Sequence, residues 1–322
     1  MSVRSLLTPG VYHGLNKKPP FFEGWYYKLV SADERFKVAV IPGVILGQDA
    51  HSFLQVLDGV DGTTAYIKFP VQDFHANDHQ FEIKIQKNRF NGNQLNLALD
   101  HPQCQLTGEI HLGSLNPWPV TWLSPGIMGW YAWVPRMECY HGVLSFSHSL
   151  QGTLTLNGKV MDFSGGRGYI EKDWGQSFPE AWVWLQSNHF AGVDACITAS
   201  VAIIPWVGSA FRGFIVGFWL DGKLFRFATY NGAHIASFHI YDDHVDWVLL
   251  NRDYRLFLKA HRVQGGLLRG PTRMDMGQRV LETLNATVQV KLETRDGVVI
   301  FDKVGAHTGL EVIGNLPRLM QP

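Results

Sequence analysis

Short segments that alternate between apolar and polar residues recur along almost the whole chain, and turn sequences separate them. This alternation is typical of β-strands, because successive side chains on a strand point to opposite faces of a sheet. Asn157-Gly158 and Asp221-Gly222 are strong signals for tight hairpins between such strands. Evenly spaced short strands predict an antiparallel barrel or sandwich. We therefore expect an all-β chain, in which only the segment from Met276 to Leu284 suits a short helix.

The beginning and the centre of the chain share a pattern that suggests two similar halves. Glu23-Gly24-Trp25 and Glu171-Lys172-Asp173-Trp174 each combine acids with a tryptophan ahead of an aromatic strand. Such a weak internal repeat fits two similar β-barrels in tandem, and the length of 322 residues suits two domains. We expect the domains to span residues 1–150 and 151–322.

Charge balance and apolar content restrict the class of ligand. The chain carries 28 Lys and Arg residues against 28 Asp and Glu residues, so its formal net charge is zero. This balance argues against nucleic acid as a partner, because nucleic-acid binding requires a basic surface. Hydrophobic residues make up 46% of the chain and charged residues 17%, with eleven Trp and twenty Phe. We expect either an aromatic-rich core or a cavity for a hydrophobic small molecule.

The cysteines and the apolar runs indicate in which cellular compartment the protein works and whether the chain crosses a membrane. The three cysteines are far apart and odd in number, so we expect no disulfide framework and no cysteine-based zinc site. A reducing, cytoplasmic compartment suits such a chain, and the first ten residues do not resemble a signal peptide. Residues 195–220 form the longest apolar stretch, which Pro205 and Arg212 interrupt. This stretch therefore favours two buried strands and a turn over a membrane span.

A proline-rich segment in the middle of the chain has an unusual aromatic content. Residues 116–135 contain four prolines and four tryptophans and show no regular period. A loop does not normally carry so much aromatic surface. We expect this segment to cover a cavity, to fill the space between domains, or to make peripheral contact with a membrane.

A strand rich in large aromatics follows the central glycine-rich stretch. Period-two alternation places Trp182, Trp184, Gln186 and Asn188 on one face. Buried amides need hydrogen-bond partners, so two amides beside two tryptophans are unusual in a core. The amides either satisfy the backbone of nearby loops or hold a ligand in the interior. In the second case all four residues are candidates for substrate binding.

Three segments of the chain carry a resemblance to a known family. They are Phe21-Phe22-Glu23-Gly24-Trp25-Tyr26-Tyr27-Lys28, then Pro135-Arg136-Met137-Glu138-Cys139-Tyr140-His141-Gly142-Val143, and then Tyr169-Ile170-Glu171-Lys172-Asp173-Trp174-Gly175 with Trp182-Val183-Trp184-Leu185-Gln186-Ser187-Asn188. In these segments the chain resembles the tocopherol cyclase family, with a weaker match over residues 306–314. The resemblance implies two lipocalin-like halves and an enzyme that closes a chromanol ring on a prenylated hydroquinone. The family also includes relatives whose substrate is undefined.

Chromanol formation requires an acid that protonates an alkene and a phenol oxygen that captures the resulting cation. A carboxylic acid in an apolar pocket stays protonated because desolvation raises its pKa. Aromatic faces stabilise the cation, and the reaction needs no cofactor and no metal. Asp173 and Glu171 are the first candidates for the acid, followed by Glu138 and Glu23. His141 is a candidate for relaying a proton or polarising a ring hydroxyl.

The motif segments also supply candidates for substrate binding, namely Glu23, Trp25, Tyr27 and Trp174. A structural role is the alternative for the acids, as ion-pair partners of Arg167 or Lys172. A lone histidine is often a satisfied core residue, which is the alternative for His141. The alternative function is a non-catalytic lipocalin-like protein that binds an isoprenoid, a quinone or another lipid.

Overall fold

The computed structural model describes residues 3–321, apart from the side chains of residues 278 and 279. The chain divides into two compact units. The first unit takes the residues up to Phe178 together with Leu267–Arg279. The second takes Pro179–Gly266 and the chain from Val280 onward.

The first unit is built on one large antiparallel sheet. Its strands are β1 (Phe21–Val30), β2 (Lys37–Leu46), β3 (His51–Asp58), β4 (Thr64–Phe69), β5 (Phe74–Ala76), β6 (Glu82–Ile85), β7 (Asn88–Asn91), β8 (Gln94–His101), β9 (Cys104–Leu112), β10 (Cys139–Leu156), β11 (Lys159–Asp162) and β12 (Arg167–Gly175). A short helix, α1 (Val3–Leu6), precedes them, and 3₁₀ turns cover Val71–Asp73 and Gly126–Trp133. The strand order is β4-β3-β2-β1-β12-β10-β9-β8-β7-β6-β5, with β11 paired to β10.

The remaining strands form a second antiparallel sheet. They are β13 (Ala181–Ser187), β14 (His189–Phe190), β15 (Ala195–Trp206), β16 (Ser209–Leu220), β17 (Lys223–Ala228), β18 (His234–Ile240), β19 (His244–Leu250), β20 (Tyr254–His261), β21 (Gly266–Pro271), β22 (Met276–Thr294) and β23 (Val299–Gly314). A 3₁₀ turn covers Thr229–Asn231, and the helix α2 (Leu316–Met320) follows β23. The strand order is β17-β16-β15-β13-β23-β22-β20-β19-β18, with β14 paired to β23 and β21 to β22.

The predicted all-β class with two lipocalin-like halves is confirmed. The apolar stretch of residues 195–220 forms the predicted pair of strands, β15 and β16, joined by a tight turn. The helix expected from Met276 to Leu284 is wrong, because these residues begin the long strand β22. This strand pairs with β20, β21 and β23 and buries Val280 and Leu284, so sheet pairing overrides the local preference.

Within residues 3–321, no helix combines the length and the apolar character that crossing a membrane requires.

The position of β12 in the sheet brings the beginning and the middle of the chain together in the first unit. This strand lies between β1 and β10, so the first unit extends beyond residue 150. Glycines make the close approach of β12 to β1 feasible. Gly165 has a φ of 76°, which favours glycine. A Cβ atom on Gly166 would lie 2.3 Å from the carbonyl oxygen of Val30.

A buried ammonium group ties the N-terminal segment to this part of the sheet. The Lys172 side chain is 0% exposed and forms an ion pair with Glu23. Its Nζ also donates to the carbonyl oxygen of Pro9 at 3.0 Å and to that of Val11. Glu23 accepts a further hydrogen bond from the backbone N–H of His13 at 2.9 Å. One cation therefore joins β1, β12 and the segment that precedes β1.

His13 completes the cluster as a neutral imidazole. Its Nε2 lies 3.0 Å from the Ser5 carbonyl oxygen, which can only accept, so Nε2 carries the proton. Nδ1 then accepts from Lys172 Nζ at 2.9 Å. Burial and the nearby charge of Lys172 lower the pKa of His13. The Nζ atom also lies 4.5 Å from the ring centroid of Trp25 and 5.0 Å from that of Trp174.

Removal of this cation should destabilise the fold strongly. We expect Lys172→Ala to lower the free energy of unfolding by about 3–5 kcal/mol, because Glu23 is left buried without its partner. Equilibrium unfolding in urea measures the change. Lys87→Ala, on an exposed turn, is the matched control and should change stability by less than about 0.5 kcal/mol. Equal stability of the two variants would contradict a structural role for Lys172.

Candidate active site

Alternate residues of β12 point to the two faces of the sheet. Trp25 pairs with Lys172 and Glu23 with Trp174, so these four side chains share one face with the Lys172 cluster. Tyr27 lies on the same face, in the hydrophobic core of the first unit. The sheet therefore separates the predicted binding residues Glu23, Trp25, Tyr27 and Trp174 from the acids Glu171 and Asp173, which occupy the opposite face.

Glu171 and Asp173 meet His141 on that opposite face. His141 on β10 pairs directly with Asp173, and its Nδ1 donates to Asp173 Oδ1 at 2.8 Å. His141 Nε2 lies 3.6 Å from Glu171 Oε2. The Glu171 and His141 side chains are 7% and 15% exposed, and that of Asp173 is 26% exposed. Two acids that are two residues apart on the strand thus reach the same imidazole.

The imidazole of His141 carries a positive charge at neutral pH. Burial alone would lower its pKa, but the charges of Asp173 and Glu171 and the hydrogen bond to Asp173 outweigh burial and raise the pKa of His141 to about 9. An imidazolium has an N–H on both nitrogens, which suits one carboxylate near each of them. The cluster therefore stores a proton that a carboxylate can receive.

Tyr169, Cys139 and Lys28, which are not among the residues predicted from the sequence, extend this cluster. The Tyr169 hydroxyl is buried and donates to Glu171 Oε2 at 2.6 Å. Cys139 Sγ lies 3.8 Å from Asp173 Oδ1. Lys28 is buried and pairs with Tyr169 across β1 and β12. Tyr169 is two residues from Glu171 on the same strand, so the period of two could have identified it from the sequence. Lys28 could not be identified in this way, because its position beside Tyr169 depends on the pairing of β1 with β12.

His141, Glu171 and Asp173 could also hold a metal ion. One ligand atom from each of them lies within 4.8 Å of the others. Because these ligands come from two strands, no sequence spacing revealed them. A metal ion binds the deprotonated forms of these groups, so it would compete with the proton that His141 shares with Asp173.

Lys172, the predicted ion-pair partner, and Glu138, a further candidate acid, form ion pairs with residues outside the His141 cluster. Lys172, expected as an ion-pair partner of Glu171 or Asp173, binds Glu23 on the opposite face instead. Glu138 lies just before β10 and forms an ion pair with Arg273 at 3.6 Å. Its backbone carbonyl also accepts from Gln176 at 2.8 Å.

β13 in the second unit displays the predicted alternation. Val183 and Leu185 enter the core cluster of that unit. Trp182, Trp184 and Gln186 are buried on the other face of the strand. The alternation therefore separates an aliphatic face from a face that carries large aromatic rings and an amide.

Polar groups of this segment have partners from neighbouring strands or from the chain nearby. Trp182 Nε1 donates to Glu311 Oε2 at 2.5 Å. Gln186 Nε2 lies 3.6 Å from Cys196 Sγ. Just beyond the strand, Asn188 Oδ1 lies 2.8 Å from His189 Nδ1. The predicted combination of aromatic rings and polar groups is thus present in the second unit.

The raised pKa of His141 should make stability depend on pH. The folded protein binds this proton more tightly than the unfolded chain, so the stabilisation is complete below pH 6.5 and is lost as the pH passes about 9. A shift of this size corresponds to roughly 3 kcal/mol. Melting temperatures of the wild type should therefore fall across this range, and those of His141→Gln should fall much less.

The surface pair of His111 and Glu109, 3.3 Å apart, offers a matched control for the pH experiment. Both side chains are exposed, so we expect His111→Gln to retain the pH profile of the wild type. Parallel profiles for the wild type and His141→Gln would show that the imidazolium contributes nothing to folding.

The chain is similar in sequence to proteins of one known family. Residues 109–314 match a family model described as tocopherol cyclase-like. A probable chloroplastic tocopherol cyclase of Oryza sativa subsp. japonica is 26% identical over 118 residues, which are 35% of this chain and 25% of the relative. The chloroplastic tocopherol cyclase of Zea mays is 28% identical over 109 residues, 33% of this chain and 23% of the relative. These matches span about a quarter of the length of the curated relatives.

Two solved structures share the fold. CghA with Sch210972 superposes with a TM-score of 0.57 at 10% identity, over 92% of this chain and 89% of that chain. Kievitone hydratase from Nectria haematococca gives a TM-score of 0.53 at 12% identity, over 94% of both chains. Identities this low concern the fold alone. The family model, however, matches more than half of the residues, and the chain belongs to the tocopherol cyclase-like family.

Proposed function

We propose that this chain is an enzyme that closes a chromanol ring on a prenylated hydroquinone by acid catalysis. The observation that carries the proposal is the cluster in which His141 is hydrogen-bonded to Asp173 and ion-paired with Glu171, within the region that matches the family. The curated relatives that match the chain are named as tocopherol cyclases. The cluster supplies what this reaction requires, namely a stored proton and a base that recovers it.

Asp173 is the best placed of the three groups to deliver the proton. Its side chain is the most exposed of the cluster, at 26%, so a substrate can approach its free oxygen. His141 passes its Nδ1 proton to Asp173 along the 2.8 Å hydrogen bond. The neutral carboxylic acid then protonates one carbon of the alkene, and the other carbon becomes a tertiary cation.

Ring closure returns the proton to the cluster. The phenol oxygen attacks the tertiary cation, forms the new C–O bond, and loses its own proton to a carboxylate. Glu171, which already accepts a hydrogen bond from Tyr169, can share this proton with His141. The substrate and the product are isomers, so no cofactor or co-reactant is consumed.

Charge in the cluster favours the cationic intermediate. Transfer of the proton from the His141 imidazolium to the alkene leaves two carboxylates and the buried Lys28 ammonium on this face, with a net charge of about −1. A fixed negative charge stabilises a cation that develops beside it. The reducing, cytoplasmic location that we expect would also keep a hydroquinone from oxidation.

The predicted binding residues take two different roles in this proposal. For Trp182, Trp184, Gln186 and Asn188, which lie in the second unit, binding of a hydrophobic molecule stays a prediction. Glu23, Trp25, Tyr27 and Trp174 lie on the face opposite the acids. For these four we propose a supporting role, in which they hold β12 in place.

Substitution of Asp173 tests the assignment of the acid. We expect Asp173→Asn to lower the rate of chromanol formation by about 10²–10⁴, because Asn keeps the shape but delivers no proton. Chromatography must separate quinol from chromanol, since the two have equal mass. Glu109→Gln, which changes a surface acid beside a histidine, should leave turnover unchanged.

The companion variant Glu171→Gln separates the roles of the two acids. Full turnover in Asp173→Asn with an inactive Glu171→Gln would move the proton donor to Glu171. Full turnover in both variants would exclude this cluster as the acid and direct attention to Glu138. If no prenylated quinol is turned over and mass spectrometry finds an isoprenoid, quinone or other lipid bound to purified protein, binding without turnover replaces the proposal.

Treatment with a chelator tests whether the cluster acts through a proton or a metal ion. We expect turnover to survive removal of divalent ions, because the reaction requires only an acid and a base. Loss of turnover on chelation and its recovery with zinc or iron would show that His141, Glu171 and Asp173 act as metal ligands.

A further inference from the structure

A tight turn between β9 and β10 presents apolar side chains to solvent. Thr121 and Ser124 exchange backbone hydrogen bonds of 3.1 and 3.2 Å, which places Trp122 and Leu123 at the apex. Trp122 is 66% exposed and Leu123 is 88% exposed. We call Trp122 and Leu123, with the neighbouring exposed Val120 and Trp130, the aromatic tip.

The aromatic tip is braced in this exposed conformation. Trp133 Nε1 donates to the Trp122 carbonyl oxygen at 3.0 Å. The rings of Trp122 and Trp133 stack with centroids 6.1 Å apart and planes at 11°. Trp130, which is 45% exposed, stacks on Tyr131 with centroids 4.1 Å apart. Apolar groups held in water by such contacts indicate a surface that meets another phase or molecule.

Charge distinguishes between the surfaces that could cover the aromatic tip. Residues 113–135 contain no Asp, Glu, Lys, Arg or His. An anionic membrane or a charged protein partner would find no complementary charge there. Trp and Tyr are favoured at the interface between lipid and water, where an apolar ring and its polar edge are both satisfied. We propose that the aromatic tip docks on the surface of a neutral, zwitterionic lipid bilayer, with Trp122 and Leu123 inserted.

The aromatic tip is firmly connected to the strand that carries His141. The Trp118 N–H donates to the Val143 carbonyl oxygen at 3.2 Å. The Tyr140 hydroxyl donates to the Val134 carbonyl oxygen at 2.6 Å. Both contacts reach β10, so a docked tip would hold this strand at a lipid surface, where hydrophobic small molecules concentrate. The docking itself does not depend on the proposed reaction.

Sedimentation with vesicles of phosphatidylcholine tests the proposal. We expect the wild type to bind these vesicles, with little effect of salt, and the double variant W122S/L123S to bind at least about tenfold more weakly. V207S is the matched control, because Val207 is another apolar residue at a hairpin turn and is 91% exposed. V207S should bind as the wild type does. Melting temperatures show that the variants remain folded.

Three results would overturn the proposal. The first is equal binding of wild type and W122S/L123S to phosphatidylcholine vesicles. The second is binding only to anionic vesicles, abolished by high salt, because such binding would rest on basic residues outside the aromatic tip. The third is a dimer of the wild type that dissociates in W122S/L123S, since a second copy of the chain would then cover the aromatic tip.

Discussion

The ion pair between Lys172 and Glu23 is the constraint on which the rest of the first unit depends. Burial of an ammonium and a carboxylate costs much solvation energy, so each is stable there only with the other in place. Lys172 lies between Glu171 and Asp173 in the sequence. Its attachment to Glu23 therefore fixes the register of β12 and turns both acids to the opposite face. A slip of one residue would exchange the two faces.

The two polar clusters on β12 differ in their exposure to solvent. The Lys172 cluster is closed, because Glu23, His13 and backbone carbonyls surround the ammonium. In the His141 cluster the Asp173 side chain is partly exposed to solvent. The charges of Asp173 and Glu171 keep the imidazole of His141 protonated, although the cluster is not fully enclosed. The enclosed Lys172 cluster therefore suits a structural role. The His141 cluster, which is partly exposed and carries a proton, suits chemistry on a bound molecule.

Local alternation in the sequence was sufficient for some of these features and not for others. It predicted that Trp182 and Trp184 share a face, and the structure places Val183 and Leu185 on the other face. The same period of two accounts for the shared face of Glu171 and Asp173. It could not predict that β12 pairs with β1, about 140 residues away along the chain, in a register that pairs Glu23 with Trp174 and so brings Glu23 and Lys172 to the same face. The proximity of His141 to both acids likewise depends on long-range strand order. The segment from Met276 shows the same limit, because its strand pairing is set by remote partners.

The tie between Lys172 and the N-terminal segment also affects how the chain acquires its fold. Lys172 Nζ bonds to the carbonyl oxygens of Pro9 and Val11, with sequence separations of 163 and 161 residues. During synthesis the segment leaves the ribosome long before its partner exists. Contacts of such separation slow folding, because a long loop must close before they form. The N-terminal segment and the unpaired edge of β1 must therefore wait for β12, and this interval exposes the nascent chain to aggregation and to chaperones.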